Sequence, residues 1–190
     1  MTRRAMATPH ERQEPGDAAL VTARERRLAV SHWLLVAARD RDVARADWKA
    51  QGVALLALGG IFAAVRMPGE LVRAAARAED EKGVDAFLRR ALEGGPVCRA
   101  RHSDWYYALV PGSTEWRRPP SSQAFPSLDC LGRDCYLGVP AVDRTEPEGS
   151  VYWCSPMDSP GELCDPRLVW VLVQLGQARH QAAEVEGGGR

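Results

Sequence analysis

The run Trp105-Tyr106-Tyr107-Ala108-Leu109-Val110-Pro111 constrains this chain more than any other stretch. Aromatic and β-branched side chains fit a pleated, half-buried surface, and they are packed most densely here. Apolar strand-like segments precede and follow it, and helical segments flank those. The pattern predicts a central strand with the sheet built around it. Successive side chains on a strand face opposite ways, so Trp105 and Tyr107 point to one side and Tyr106 to the other. We expect Trp105 and Tyr107 in the core. Tyr106 stays open: it is core if helices cover its face, and a binding platform if that face lies open beside the Trp116-Arg117-Arg118 loop.

Flanking this strand is a chain of 190 residues, 45% of them hydrophobic, which suits one globular domain with a real core. Met1 to Ala18 lacks apolar periodicity and contains Pro9, Pro15 and Gly16. We expect a disordered tail over 1–18, a single domain over 19–182 and a second tail over 183–190. No apolar run approaches the roughly 20 residues that span a bilayer, and no apolar segment follows Arg3 and Arg4 as in a secretory signal. The expectation is a cytoplasmic protein without a membrane partner. The formal net charge is zero, which removes any overall electrostatic case for nucleic acid.

Thr22 and Glu25 have capping-box spacing and predict a helix start. That helix carries Leu28, Ser31 and Leu35 on one face, with Val30, Trp33, Leu34 and Ala37 beside them. A second helix, Val43 to Gln51, stops at Gly52. A helix pair with a short link admits a helix-turn-helix reading, but Asp47 and Trp48 sit among Arg45, Lys49 and Gln51, which a recognition face would need clear. Val53 to Leu58 and Ile61 to Met67 read as two strands, with Gly59-Gly60 placed to close a hairpin. Pro68-Gly69-Glu70 opens a helix bearing Leu71, Val72, Ala75 and Ala78. The triplet Glu79-Asp80-Glu81 reads as a solvated turn. Val84, Phe87, Leu88 and Ala91 then repeat at helical spacing up to Gly94-Gly95.

Pro96 to Arg101, turning through His102-Ser103-Asp104, predicts a hairpin into the opening strand. Cys135 to Pro140 reads as a strand, and Val151 to Cys154 as the one that returns. Asp165-Pro166 starts a last helix with Leu168, Val171, Leu172 and Leu175 on its core face. The fold class that follows is α+β, or α/β: a mostly antiparallel sheet with an N-terminal helical pair, two central helices and a C-terminal helix.

Candidates for chemistry are few. Cys130, Cys135, Cys154 and Cys164 form C-x4-C and C-x9-C pairs, looser than the knuckles that hold structural zinc, so buried free thiols are the alternative to a zinc site. Cys98 is the fifth cysteine. His102, in the hairpin turn, is the one histidine placed to assist a cysteine nucleophile, and no motif surrounds any cysteine. Asp40-Arg41-Asp42 has the spacing of a metal-binding carboxylate pair but falls at a break between helices, where aspartate caps. An aromatic sheet face beside Arg117 and Arg118 is the arrangement that stacks single-stranded bases. Core packing under helices is its ordinary counterpart.

Several strings carry a resemblance: Val65-Arg66-Met67-Pro68, Gly94-Gly95-Pro96-Val97, Trp105 to Pro111, Cys130-Leu131-Gly132, Tyr136 to Pro140 and Asp143-Arg144-Thr145. They resemble a group of small actinobacterial (Streptomyces-type) proteins of uncharacterised function. More distantly, the order of elements is similar to actinobacterial primase–polymerase domains. That resemblance implies acidic metal ligands on a strand in active members. The matching strand, Phe62 to Met67, holds no carboxylate. The resemblance therefore implies a copy without polymerase chemistry that retains a nucleic-acid or partner surface.

The reading is a non-enzymatic binding or regulatory protein with no catalytic residues and no predicted cofactor. Its alternatives are a single-stranded nucleic-acid binder of degenerate primase–polymerase type, using Tyr106, Trp116, Arg117, Arg118 and Arg144, and a small structural zinc protein. Its partner is unassigned, with a protein or single-stranded nucleic acid as the two classes considered.

Overall fold

The computed structural model describes residues 22–114, 128–147 and 149–187. The tail expected over 1–18 and the loop with Trp116, Arg117 and Arg118 lie outside these residues. Thr22 caps α1 (Ala23–Leu34) through the capping box read from the sequence: its hydroxyl accepts from the Glu25 N–H, and the Glu25 carboxylate accepts from the Thr22 N–H. A 3₁₀ turn, Leu35–Ala37, leads to α2 (Arg41–Gln51). Asp40 caps α2 by accepting from the Asp42 and Val43 N–H groups, and Asp42 pairs with Arg45 at 2.7 Å. The Asp40–Asp42 pair is thus engaged in capping and a helix-surface ion pair, not held together on a strand. Gly52, at φ 76°, ends α2 in the left-handed conformation and starts β1 (Val53–Ala57).

The hairpin expected across Gly59-Gly60 does not form. β1 pairs antiparallel with β6 (Tyr136–Pro140), while β2 (Phe62–Pro68) enters a different sheet. Gly59, at φ 80°, donates its N–H to Phe62 O at 2.8 Å and lies against the Arg133 backbone, where a Cβ would come within 2.7 Å of Arg133 Cα. The two glycines therefore carry the chain from one layer to the next. Two-residue turn chemistry alone does not distinguish that from a hairpin.

After β2 come α3 (Gly69–Ala76), α4 (Glu81–Ala91), β3 (Val97–Ala100), β4 (Trp105–Pro111), β5 (Asp129–Leu131), β7 (Val151–Ser155) and α5 (Pro166–Gly187). The larger sheet is antiparallel throughout, in the order β5-β2-β4-β3-β7. β4 is its middle strand, as the aromatic run predicts. The β3–β4 hairpin forms with Ala100 opposite Trp105. β7 does not return along β6 but pairs with β3 at the edge of the five-stranded sheet. With five α-helices and two antiparallel sheets among the described residues, the fold is α+β.

Both faces of the larger sheet are covered, and side-chain alternation sorts the core into two clusters. Ala63, Val65 and Met67 of β2, Tyr106, Ala108 and Val110 of β4, and Tyr152 and Cys154 of β7 pack beneath α3, α4 and α5. Phe62, Ala64, Cys98, Leu109 and Trp153 point the other way, against α1, α2 and the β1–β6 ladder. An isolated two-stranded ladder is marginal in water, so β1–β6 depends on this packing. Two tryptophans fasten it: Trp48 Nε1 donates to Val139 O at 3.0 Å, and Trp153 Nε1 reaches Pro140 O and Ala141 O, each at 3.2 Å.

Two face assignments change. Tyr106, left open by the sequence, is fully buried; Tyr107 is half-buried and packs against the ladder-side cluster as expected, while Trp105 is half-buried and belongs to neither cluster. The helices cover the Tyr106 side along the whole strand, while Trp105 pairs with Pro68 at the strand's end and has the Arg66 guanidinium, not a layer of apolar side chains, 4.9 Å from its ring centre. On α5, Val169, Leu172 and Val173 are buried and Val171 is 58% exposed. The helix turns Gly176 to the α3 backbone, and apolar periodicity gives no weight to a glycine. α5 also runs to Gly187, past the 182 boundary expected for the domain. No helix among the described residues is long and apolar enough to cross a membrane.

Candidate functional site

The polar groups of the fold concentrate in one seam, where α4 lies on β3 and β7. Residues four apart share a helix face, and Glu81, Asp85 and Arg89 of α4 are spaced that way. Opposite them runs a cross-strand row. Arg99 of β3 is paired with Tyr106 of β4 on one side and Tyr152 of β7 on the other. The Arg99 guanidinium donates through Nη1 to Glu81 Oε1 and through Nη2 to Asp104 Oδ1, both at 3.1 Å. Its carbon sits 5.0 Å from the Tyr106 ring centre, a cation–π distance. Arg73 of α3 grips the same Asp104 with two bonds, 3.0 Å to Oδ1 and 2.9 Å to Oδ2. Arg101 Nε adds a third guanidinium by donating to Glu81 Oε1 at 3.0 Å.

Deeper in the seam, Asp85 is a buried carboxylate, and Tyr152 Oη donates to its Oδ1 at 3.4 Å. Burial raises the Asp85 pKa, offset in part by the Cys154 thiol, Arg89 and Tyr152. Arg89 itself donates to Cys154 O at 2.9 Å. Burial also raises the Tyr106 and Tyr152 phenols, which stay protonated. Asp104 moves the opposite way: its bonds from Arg73, and then from Arg99, outweigh its partial burial and hold it below the usual carboxylate range.

That last shift gives a pH dependence. A depressed native pKa stabilises the fold above the ordinary aspartate pKa of about 3.9, and the contribution disappears as pH falls through the native value. We expect Asp104→Asn to lower stability at neutral pH by about 1 kcal/mol, a size that allows for solvent screening of a half-exposed carboxylate. Thermal melts of both proteins from pH 7 downwards should converge under acid conditions. A gap that stays constant with pH would show that Asp104 acts through turn geometry and not through its charge.

The sequence reading missed this seam. Of the triplet Glu79-Asp80-Glu81, Glu79 and Asp80 are solvated as expected, with Asp80 capping α4 by accepting from the Gly83 N–H, but Glu81 is half-buried and holds two arginines. The available signal was the i, i+4, i+8 spacing of Glu81, Asp85 and Arg89, interleaved with apolar Val84 and Leu88.

The residues expected to bind nucleic acid are not assembled among the described residues. Tyr106 lies under the helices and offers no open ring for stacking. Arg144 is exposed on the other side of the larger sheet, its guanidinium against Gly52 at the end of α2. Trp116, Arg117 and Arg118 lie outside the described residues. The four thiols considered for zinc also fail to converge. Cys135 packs with the ladder-side cluster, whereas Cys130, Cys154 and Cys164 pack with the helix-side one. Among the described residues no three His, Cys, Asp or Glu side chains are grouped to hold a metal ion. Burial pushes the thiols up, Cys130 to about 11 and Cys98 and Cys164 to about 12. His102, on the hairpin turn, borders a hollow on the seam and not a cysteine.

A second feature is apolar. The outward side of the β1–β6 ladder shows Leu55 at 66% exposure and Tyr136 at 55%. Val36, in the 3₁₀ turn, is 50% exposed. Val36, Ala57, Leu58, Ile61 and Tyr136 border one open hollow of about 500 Å³. The α+β fold thus presents two surfaces with distinct chemistry, a guanidinium-rich seam and an apolar face. No family model matches the sequence, and no curated protein or solved structure shows significant similarity to it.

Proposed function

We propose that this chain is a non-enzymatic binding protein that docks a protein partner on the apolar face of the β1–β6 ladder. The observation that carries the reading is the joint exposure of Val36 and Tyr136 at that hollow, with Leu55 exposed on the same outward face of the ladder. Single exposed apolar residues are ordinary, but a contiguous group on one face marks an interaction surface. Tyr136 supplies an amphipathic ring of the kind enriched where partners bind. The hydrophobic face is also rigidly presented, because the inward side of the same ladder is pinned by Trp48 and Trp153.

The test places a photo-crosslinking amino acid at Leu55 in cells that make the protein, with Val171 on α5 as the control, since it is also well exposed but remote from the ladder. We expect a discrete adduct from position 55 that is absent from position 171 and is lost when Tyr136→Glu is added. Equal adduct patterns from the two positions would end the proposal. Tyr136→Glu alone should change stability by no more than about 0.5 kcal/mol, the range of ordinary surface substitutions, which separates loss of binding from loss of fold.

A further inference from the structure

The arginine seam carries an inference independent of the apolar face. We propose that the hollow bordered by Glu81, Arg99, Arg101, His102, Gly149 and Ser150 is a binding site for a phosphate group. Three guanidiniums, Arg73, Arg99 and Arg101, share two carboxylates, Asp104 and Glu81, and of the three Arg99 and Arg101 border the hollow. A third carboxylate, Glu79, approaches Arg73 at 3.4 Å, but its side chain is 90% exposed, so water screens most of its charge. At the hollow Arg99 and Arg101 are balanced by Glu81 and Asp104, so the case for an anion rests on the donors these guanidiniums leave open and not on net charge.

The hydrogen-bond inventory points the same way. Arg99 is 12% exposed, and its Nε is buried without a partner among the described residues. Both Nη atoms of Arg99 and the face of Tyr106 hold this guanidinium in place, so ordering it for a ligand has little entropic cost. Among the described residues Arg101 commits only its Nε, to Glu81, and its two terminal amino groups remain for a ligand. The planar fork of a guanidinium matches two oxygens of a phosphate, and a phosphate monoester brings three acceptor oxygens and nearly two charges. The hollow measures about 340 Å³, on the order of ten waters at roughly 30 Å³ each, so a phosphate group has room there.

Glu81 sets the sign of a decisive test. Its single Oε1 accepts from both Arg99 and Arg101, so its carboxylate competes with an incoming anion for the same two donors. Removing the Glu81 charge should strengthen binding, and removing the Arg101 charge should weaken it. A diffuse change in net charge would shift binding with the same two signs but only weakly in salt, so the size of the effect is what marks a specific site.

The experiment titrates the purified full chain with inorganic phosphate and, separately, with glycerol 3-phosphate. It is run at constant ionic strength against sodium chloride and followed by the backbone amide resonances of Arg101 and Ser150. We expect saturable shifts, binding about tenfold weaker in Arg101→Gln and a few-fold tighter in Glu81→Gln, as one charge-assisted hydrogen bond implies. Tighter binding of glycerol 3-phosphate identifies a phosphorylated small molecule as the ligand class, and response to inorganic phosphate alone identifies the free ion. The proposal is overturned by linear, unsaturated shifts matching those in chloride. It is equally overturned by affinities that Arg101→Gln and Glu81→Gln leave unchanged while both variants keep the wild-type melting temperature to within a few degrees.

Discussion

Replacing Trp153 with alanine should cost about 4 kcal/mol of folding stability, the range for emptying a buried tryptophan site. Trp153 is 1% exposed, on β7, and faces the cluster that joins the larger sheet to the ladder. Two losses combine. The indole leaves a cavity that Phe62, Leu109, Leu137 and Val139 can fill only by moving the ladder. Pro140 O and Ala141 O also lose the N–H that ties the end of β6 to β7. Because the ladder has two strands, it has little cooperativity of its own to fall back on. Typical domains are stable by only 5–15 kcal/mol, so the variant should be marginal. Urea denaturation followed by far-UV circular dichroism measures the loss. Trp153→Phe keeps most of the apolar surface and removes the donor, and should cost about 1–2 kcal/mol. A loss below about 1 kcal/mol for the alanine variant would mean that the ladder is not held through this side chain.

How much of this was readable beforehand depends on what each signal encodes. The Thr22–Glu25 box, the Asp40 cap, the Gly52 stop and the β3–β4 hairpin are local, and they appear where the sequence places them. The aromatic run did mark the middle strand, because both its faces must be buried and only apolar side chains suit that. What it could not encode is which layer lies on which face. Tyr106 and its neighbours alternate identically whether helices lie above or below, and the assignment came out with Tyr106 inside. Strand partnership was similarly hidden. β1 and β2 are separated by Gly59-Gly60, as hairpin strands would be, yet β1 pairs with β6 some eighty positions later. The seam escaped for a different reason. Glu81 and Arg99 look like surface residues one at a time, and only the tertiary pairing makes them a unit. The cysteines show how little spacing encodes by itself: of the four in loose C-x4-C and C-x9-C pairs, Cys135 lies on the ladder side of the sheet and Cys130, Cys154 and Cys164 on the helix side.

Gly176→Ala is expected to destabilise the protein by about 2 kcal/mol, although helix propensity alone argues the other way. In an exposed helix interior, exchanging glycine for alanine gains about 1 kcal/mol. Gly176, however, is buried in the middle of α5, where that helix meets α3, and a Cβ there would sit 2.5 Å from Leu71 O and 2.9 Å from Leu71 Cγ. A side chain could turn away, but a backbone carbonyl inside α3 moves only with its helix. Overpacking of this kind costs about 1–3 kcal/mol, and more where the neighbour cannot yield. The contact is reinforced by Arg179, three residues on, which donates to Ala75 O of α3, so separating the helices to admit a methyl group would strain that bond as well. The carbonyl is the discriminating element. If the Leu71 side chain were the obstacle, Leu71→Ala would relieve the substitution and the double variant would cost less than the sum of its parts. With the carbonyl as the obstacle, the losses should add to within about 0.5 kcal/mol or exceed the sum. Chemical denaturation of the two single variants and the double variant decides it, and a Gly176→Ala protein more stable than the original would show that α3 and α5 do not approach this closely in solution.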